Sequence, residues 1–349
     1  MKILLLLIFF TSSLTFANSY YRFDPGHLHG EKAHFTNLKK VFDKGRMQIY
    51  ELNPGSKLIG NQSKYLKKIQ KASWKVIEPV NNTLVVSRKP EIDLLIKELN
   101  IDNVIRHLNL FTNHNSRRSG APGNQSTTEY IKNYLNDLGF TVTKDCFSPG
   151  LCNIWGTLDG EVNEYVLIEA HLDSVGKPYA GADDNSSGVA GLLELARVLI
   201  NSERQRGLII FATNGEESGL LGAKDFVWKA KANGLLDRIN YVINMDMIGY
   251  NSNGIVDIET NRQFENLALW KSALANTYTN LKPEITMPAW GSDHVPFLQQ
   301  GVPSILTIEH WKTKNPCYHR ECDKVDKINF DYLMEILKLN IAASFEKLN

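Results

Sequence analysis

Three short apolar runs stand out in the middle of the chain. They are Tyr165–Ala170, Gly207–Ala212 and Tyr241–Asn244. Each contains β-branched residues and has the length of a strand that is buried on both faces of a parallel sheet. A segment with apolar residues at helical spacing, Gly188–Ile200, lies between the first and second runs. The pattern predicts an α/β fold of three layers, with helices flanking a central mixed, largely parallel sheet, plus a small N-terminal region.

Residues that bind metals follow each of these predicted strands. His171 comes after the first, Glu216 and Glu217 lie just past the second, and Asp246 follows the third. The ligand crevice of an open α/β sheet lies beyond the carboxyl ends of its strands. Asp183 adds a carboxylate from the Gly-rich loop GADDNSSG. Because zinc accepts mixed nitrogen and oxygen ligands, the pattern predicts a zinc site at this edge.

The N-terminal part of the chain differs from the rest. Residues 1–17, MKILLLLIFFTSSLTFA, have a Lys, an apolar run and small residues before a cleavage point, which predicts a signal peptide and secretion. The apolar run is too short for the alternative, a transmembrane anchor. Residues 18–98 are rich in Lys and Asn, and we interpret them as a prosegment or a permanent accessory region. Residues 99–349 form the predicted catalytic domain.

Composition and charge exclude several classes of function. The chain has 349 residues, of which 43% are hydrophobic and 22% charged, as in ordinary globular proteins. Loss of residues 1–17 would leave 38 basic and 38 acidic residues. This balance gives no electrostatic reason for binding nucleic acid or an anionic membrane. The chain also lacks the GxSxG motif of serine esterases, the HExxH motif of single-zinc proteases and the Walker-type motif GxxxxGK[ST].

The four cysteines form two close pairs in the sequence, Cys146 with Cys152 and Cys317 with Cys322. Two local disulfides are expected in an exported chain, because such bonds persist in oxidising compartments. The alternative is a zinc ion bound by cysteines, but neither pair has the CxxC spacing of such sites.

The candidate ligands are numerous enough for two metal ions. Two metals that share one hydroxide need a bridging carboxylate and two further ligands each. Asp183 is the predicted bridge, His171 and Asp246 complete one site, and Glu217 and His319 complete the other. The prediction is therefore two zinc ions per chain.

Two further residues have predicted roles around these ligands. Glu216 is left over beside Glu217 and is the predicted general base, and Asp173 is a predicted partner for the second ring nitrogen of His171. Taken singly, each residue has an ordinary interpretation. The aspartates of GADDNSSG are typical of a turn or a helix cap, and the paired glutamates are typical of a solvated loop.

Six motifs in this order resemble one family. HLDS, GADDNSSG, NGEESGLLG, NMDMIGY, GSDHVPF and CYHRECD lie between His171 and Asp323. They look like the secreted bacterial di-zinc leucyl aminopeptidases of metallopeptidase family 28. The resemblance implies the ligand set above and Glu216 as the base. It also implies that Tyr318 stabilises the oxyanion and that a cis peptide follows the bridging aspartate, here between Asp183 and Asp184.

The implied reaction is hydrolysis of the first peptide bond of peptides with a free N-terminus. A hydroxide shared by the metals attacks the carbonyl, and Glu216 moves the proton to the leaving amine. Two alternatives keep the scaffold and change the specificity: a glutaminyl cyclase or a carboxypeptidase. A third is a metal-free binding protein. The preferred N-terminal residue stays open, and a monomer is expected.

Overall fold

The structure, a computed structural model, describes residues 19–23, 35, 37–44, 47–60, 62, 66–69, 75–77, 84–176 and 178–349. The signal peptide predicted for residues 1–17 lies outside the described residues. The chain divides into two compact units, Met1–Ala72 and Ser73–Asn349. In the part of the chain that is described, none of the helices has both the length and the apolar character that crossing a bilayer requires.

The N-terminal unit contains a four-stranded antiparallel sheet with the strand order β2-β3-β1-β4. Its strands are β1 (Ser19–Phe23), β2 (Lys39–Lys44), β3 (Met47–Leu52) and β4 (Lys67–Ile69). Phe23, Ile49 and Leu52 are buried and give this sheet a small apolar core.

The larger unit is organised around a sheet that has nine strands within the described residues. They are β5 (Lys75–Ile77), β6 (Thr141–Ser148), β7 (Leu151–Leu158), β8 (Val162–His171), β9 (Arg206–Thr213), β10 (Ile239–Met245), β11 (Ile255–Glu259), β12 (Lys282–Met287) and β13 (Ser304–Glu309). Their order is β5-β12-β11-β13-β10-β8-β9-β7-β6. The four central strands, β13, β10, β8 and β9, run parallel to one another. On either side of them the pairing is antiparallel, between β13 and β11 and between β9 and β7. The prediction of a mixed sheet with a parallel centre is confirmed.

Helices cover both faces of this sheet. They are α1 (Pro90–Glu98), α2 (Ile101–Thr112), α3 (Pro122–Asp137), α4 (Gly188–Leu199), α5 (Leu221–Ala232), α6 (Glu265–Tyr278), α7 (His294–Gln299) and α8 (Phe330–Leu348). Alternate residues of β8 belong to different apolar clusters. Val166 and Ile168 pack in the cluster that contains Leu192 of α4, whereas Leu167 packs in the cluster that contains Phe226 of α5. Because alternate residues of a strand face opposite sides of the sheet, α4 and α5 pack on opposite faces. The three predicted layers, helices on both sides of a sheet, are confirmed.

The boundary between the units falls earlier than residue 98, where the sequence placed it. β5 pairs with β12 at the edge of the large sheet, and Ile92 of α1 is fully buried in the main core. Helix α3 begins at Pro122, in the first turn, where a residue without an N–H is well tolerated. Both predicted disulfides, Cys146–Cys152 and Cys317–Cys322, are present.

Candidate metal centre

The predicted ligands meet where three neighbouring parallel strands end. β8 ends at His171, Asp246 follows the end of β10, and Glu216 and Glu217 follow β9 after a turn. Gly215 makes this turn at a φ of 78°, a conformation that a residue without a Cβ adopts readily. Since β8 lies between β9 and β10, the sheet brings these side chains to one edge.

The first group of ligand atoms surrounds His171. Its Nε2 lies 3.3 Å from Asp184 Oδ1 and 3.4 Å from Asp246 Oδ1, and all three side chains are buried. Burial disfavours the charged imidazole, yet the nearby carboxylates, Asp246 foremost, hold the pKa of His171 well above its ordinary value. The group thus presents one nitrogen and two carboxylate oxygens around a common point.

A second group surrounds His319. Its Nε2 lies 3.0 Å from Asp184 Oδ2 and 3.1 Å from Glu217 Oε2. Burial again opposes the charged imidazole, but Glu217 and Asp184 raise the pKa of His319 to about 10. Asp184 gives one oxygen to each group. Burial would raise its pKa, but the two histidines hold that pKa well below its ordinary value.

The prediction that Asp183 joins the two groups is wrong by one residue. Its Oδ1 accepts a hydrogen bond of 2.9 Å from the Gly249 N–H, and its Oδ2 accepts one of 3.0 Å from Asn315 Nδ2. Burial raises the pKa of Asp183 to about 6, although these hydrogen bonds act in the opposite direction. Asp184 has an extended backbone (φ −105°, ψ 92°), so the neighbouring side chains point in different directions. The cis peptide likewise follows Asp184, at Asp184–Asn185, and does not follow Asp183.

Asp173 links His171 to the loop that carries the paired glutamates. His171 Nδ1 lies 3.2 Å from the Asp173 carbonyl oxygen and 3.6 Å from its carboxylate, so the backbone oxygen is the nearer acceptor. The carboxylate accepts hydrogen bonds from the N–H groups of Glu216 and Glu217, at 3.1 and 3.4 Å, and from Ser119 Oγ at 3.0 Å. Asp173 therefore lies beside His171 and also orders the glutamate loop.

Glu216 lies beside the two groups without belonging to either. Burial raises its pKa well above the ordinary value, the charge of His171 opposes this, and Glu217 and Asp246 add to the increase. A carboxylate with a raised pKa next to the ligand atoms is suited to accept a proton.

Tyr318 lies in the short loop closed by the Cys317–Cys322 disulfide. Its ring stacks on that of His319 with centroids 3.7 Å apart and meets Trp311 edge-on at 5.3 Å. His319 adopts a φ of 58°, which turns the chain inside this loop. The loop thus places Tyr318 directly beside a predicted ligand.

The sequence did not reveal the residues that hold the ligands in place. Ser292 Oγ donates to Asp246 Oδ2 at 2.8 Å and accepts from Asn244 Nδ2 at 2.7 Å. Asp323 accepts hydrogen bonds from the N–H groups of Asp183 and Asp184. These residues lie inside or beside the recognised motifs, but motif spacing does not show which side chain contacts which.

A third group of Asp, Glu and His lies outside the first two. Ligand atoms of Asp257, Glu284 and His310 are within 4.8 Å of one another. His310 Nδ1 lies 2.6 Å from Asn253 Nδ2, and the amide is oriented by the Ile255 N–H, which donates to its oxygen. An imidazole that accepts at Nδ1 carries its proton on Nε2, the nitrogen that faces Glu284 at 4.0 Å. His310 in this state has no lone pair for a metal.

The first two groups fit zinc. Each offers one imidazole nitrogen and two carboxylates, a donor set typical of zinc enzymes. Among the described residues, the buried atoms Asp184 Oδ2 and Glu217 Oε1 accept no hydrogen bond of acceptable geometry. Buried carboxylate oxygens are normally paired with a donor or coordinate a metal, so these two are available as ligands.

Comparisons with known proteins place the chain in a family. A family model described as Peptidase family M28 matches residues 153–344. Leucine aminopeptidase 1 of Phaeosphaeria nodorum is 27% identical over 283 residues, which cover 72% of each chain. LapB from Legionella pneumophila has a similar structure, with a TM-score of 0.70, 17% identity, and coverage of 95% of this chain and 100% of LapB. BSAP, a zinc aminopeptidase from Bacillus subtilis, is 29% identical over 57% of this chain and 50% of its own, with a TM-score of 0.51.

The family match covers more than half of the chain and includes every residue of the two ligand groups. The similarity to LapB, at 17% identity, shows the fold. Together these findings confirm the predicted α/β architecture and the prediction that the chain is an enzyme of the peptidase class. The chain belongs to peptidase family M28.

Proposed function

We propose that the protein is a zinc metallo-aminopeptidase that binds two zinc ions and hydrolyses the first peptide bond of peptides with a free N-terminus. The observation that carries the proposal is the position of Asp184, whose two oxygens face His171 and His319 at 3.3 and 3.0 Å. His171, Asp184 and Asp246 would hold one ion, and Asp184, Glu217 and His319 the other. Asp184 replaces Asp183 as the bridging residue.

A bound zinc pair would supply Lewis acidity, which lowers the pKa of water from 15.7 to about 7 and polarises the substrate carbonyl. Glu216 acts as the general base: its carboxylate takes a proton from the attacking water and returns it to the leaving amine. The backbone of Glu216 is held in place because its N–H donates a hydrogen bond to the Asp173 carboxylate at 3.1 Å. Tyr318 is the proposed hydrogen-bond donor to the developing oxyanion.

The acidic character of the site supports a preference for a free N-terminus. Glu217, Asp184 and Asp246 belong to the two ligand groups, Glu216 lies close to them, and this acidic region is the proposed binding position of the N-terminal residue. An amino group is attracted to these carboxylates or donates its lone pair to a metal, and a blocked N-terminus does neither. Peptides with a free N-terminus are therefore the proposed substrates.

The test compares substrates and a variant of the base. The wild-type enzyme, loaded with zinc, is expected to cleave leucyl- or lysyl-anilides and to leave N-acetylated peptides intact. Glu216→Gln should retain its zinc and lose at least about 10²-fold in kcat, the usual contribution of a general base. Glu161→Gln, at an exposed position, is the matched control and should be unaffected.

Other outcomes would replace the proposal. Cleavage of N-blocked peptides alone would point to a carboxypeptidase or an endopeptidase. Cyclisation of an N-terminal glutamine without hydrolysis would point to a glutaminyl cyclase. Full activity of a zinc-loaded Glu216→Gln enzyme would remove Glu216 from the mechanism.

We also propose that the enzyme is exported and acts outside the cytoplasm as a monomer. The two disulfides support export, because such bonds persist in oxidising compartments. In this proposal the prosegment or accessory region is the N-terminal unit, which ends at Ala72. Intact-mass measurement of the exported protein distinguishes the two, because a prosegment would be absent from the mature chain. Light scattering of the same sample gives the oligomeric state.

A further inference from the structure

The carboxylate of Asp323 holds the backbone that leads into Asp184. Its Oδ1 accepts the Asp183 N–H at 2.9 Å, and its Oδ2 accepts the Asp184 N–H at 3.1 Å. Its own carbonyl oxygen accepts the Ala182 N–H at 3.3 Å. One residue, 2% exposed, therefore binds three successive peptide groups of the segment GADDNSSG.

These peptide groups need such an acceptor. The segment Ala182–Ser187 departs from helical geometry at Asp184 (φ −105°, ψ 92°) and at Asn185 (φ −131°, ψ 46°). Buried N–H groups outside regular structure must find acceptors elsewhere, and a carboxylate is a strong one. The direction of the Asp184 side chain follows from the position of its own peptide group, which Asp323 sets.

Asp323 also belongs to the loop that supplies the other side of the site. It directly follows Cys322, whose disulfide with Cys317 encloses His319. Asn315, at the start of this loop, donates to Asp323 Oδ1 at 3.4 Å through its side-chain amide. The segment that carries His319 and the segment that carries Asp184 are thus joined through one buried carboxylate.

We propose that Asp323 is a positioning residue that directs the Asp184 carboxylate toward both His171 and His319. Loss of Asp323 would then weaken both metal positions together. A ligand such as His319 belongs to one position only, so its loss would weaken that one first. The inference rests on the proposed binding of two zinc ions, and it adds a residue that touches neither ion.

The experiment measures zinc binding by Asp323→Asn in zinc-buffered solutions. The amide keeps the shape of the side chain but places an N–H₂ group against a backbone N–H, so one of the two hydrogen bonds is lost. Both zinc dissociation constants are expected to increase by about 10- to 100-fold, the usual effect of losing a residue that orients a ligand. Glu321→Gln, an exposed acid in the same loop, is the matched control and should bind zinc as the wild type does.

A second measurement separates positioning from general destabilisation. At saturating Co²⁺, the visible absorption of Asp323→Asn should differ from that of the wild type, because the shared carboxylate is displaced. Leu135→Ala, which removes a buried side chain of α3 far along the chain from the ligands, should lower the melting temperature and retain the wild-type spectrum.

Asp323→Ser, which adds neither bulk nor an amide, is measured in parallel in case the Asn variant does not fold. Weaker zinc binding at both metal positions is expected in each variant whose metal-free form melts cooperatively. Wild-type zinc affinity in such a variant, or loss at the His319 position alone, would overturn the proposal. Failure of the wild type itself to bind two zinc ions would instead refute the proposed function.

Discussion

The exchange of roles between two adjacent aspartates gives the sharpest prediction. Asp184→Asn replaces the one carboxylate, within the described part of the chain, whose oxygens face both His171 and His319, at 3.3 and 3.0 Å. Asparagine keeps one carbonyl oxygen and carries no charge, so both metal positions lose an anionic ligand. Zinc content is expected to fall from two equivalents to one or none. Because activation of water depends on the metals, kcat/KM should fall at least about 10³-fold, which corresponds to roughly 4 kcal/mol of lost transition-state stabilisation.

Asp183→Asn is the matched control for this change. The structure places its carboxylate on the Gly249 N–H and on Asn315, away from both histidines. The amide oxygen can keep one of these hydrogen bonds, and the disturbed second one should cost about 1–3 kcal/mol of unfolding free energy. Both zinc ions should remain bound.

Metal analysis by mass spectrometry after gel filtration, with urea unfolding in parallel, measures both expectations. The reasoning is refuted if Asp183→Asn loses zinc while Asp184→Asn keeps two equivalents. That result would return the bridging role to Asp183, as the sequence alone suggested.

Three further predictions concern protons, the disulfide loop and a buried lysine. Zinc binding near pH 7.5 should release protons, because without metal the carboxylates hold the pKa of His171 well above its ordinary value and that of His319 at about 10. Calorimetry in buffers of different ionisation enthalpy counts the released protons. Release of no protons would contradict the raised pKa values of the two histidines. Replacing Cys317 and Cys322 together by Ser should lower the unfolding free energy by about 2 kcal/mol and weaken zinc binding, which urea titration and zinc-buffered solutions measure. Burial lowers the pKa of Lys271 to about 7, so the unfolding free energy of the wild type increases as the pH rises from 7 towards 10.5. Lys271→Met should be more stable than the wild type by up to about 5 kcal/mol at pH 6. This difference should become small near pH 10. An equal difference at both pH values, measured by chemical denaturation, would contradict the assigned pKa.

The strands that carry the ligands were predictable because they are buried on both faces. The runs Tyr165–Ala170, Gly207–Ala212 and Tyr241–Asn244 each lie within an observed strand, extended by one to three residues at either end. Burial on both faces leaves a continuous apolar run, which is a strong signal in a single sequence. The polar residues that follow such runs then reach the same sheet edge, so His171 and Asp246 were placed correctly.

The identity of the bridging aspartate was not predictable on the same basis. Asp183 and Asp184 are adjacent, of the same residue type, and fully or almost fully buried. Their roles are separated by long-range contacts: Gly249 and Asn315 bind the carboxylate of Asp183, and two histidines face that of Asp184. Three of these four contacts join residues 66 to 135 positions apart, and such contacts leave no local pattern. The sequence therefore predicts the chemistry of this loop and leaves the direction of each side chain undetermined.

The arrangement of the site also explains why its outer hydrogen bonds matter. Asp184, Glu217 and Asp246 converge on two histidines in a buried region, where like charges repel strongly. The two histidines, whose pKa values are raised, offset part of this repulsion when they are protonated. The carboxylates are also held by bonds from outside the cluster, such as the Ser292 hydroxyl on Asp246 and the Asp323 carboxylate on the Asp184 peptide. The buried parallel strands and these hydrogen bonds hold three carboxylates close together before any metal binds, and this preorganisation favours the binding of cations.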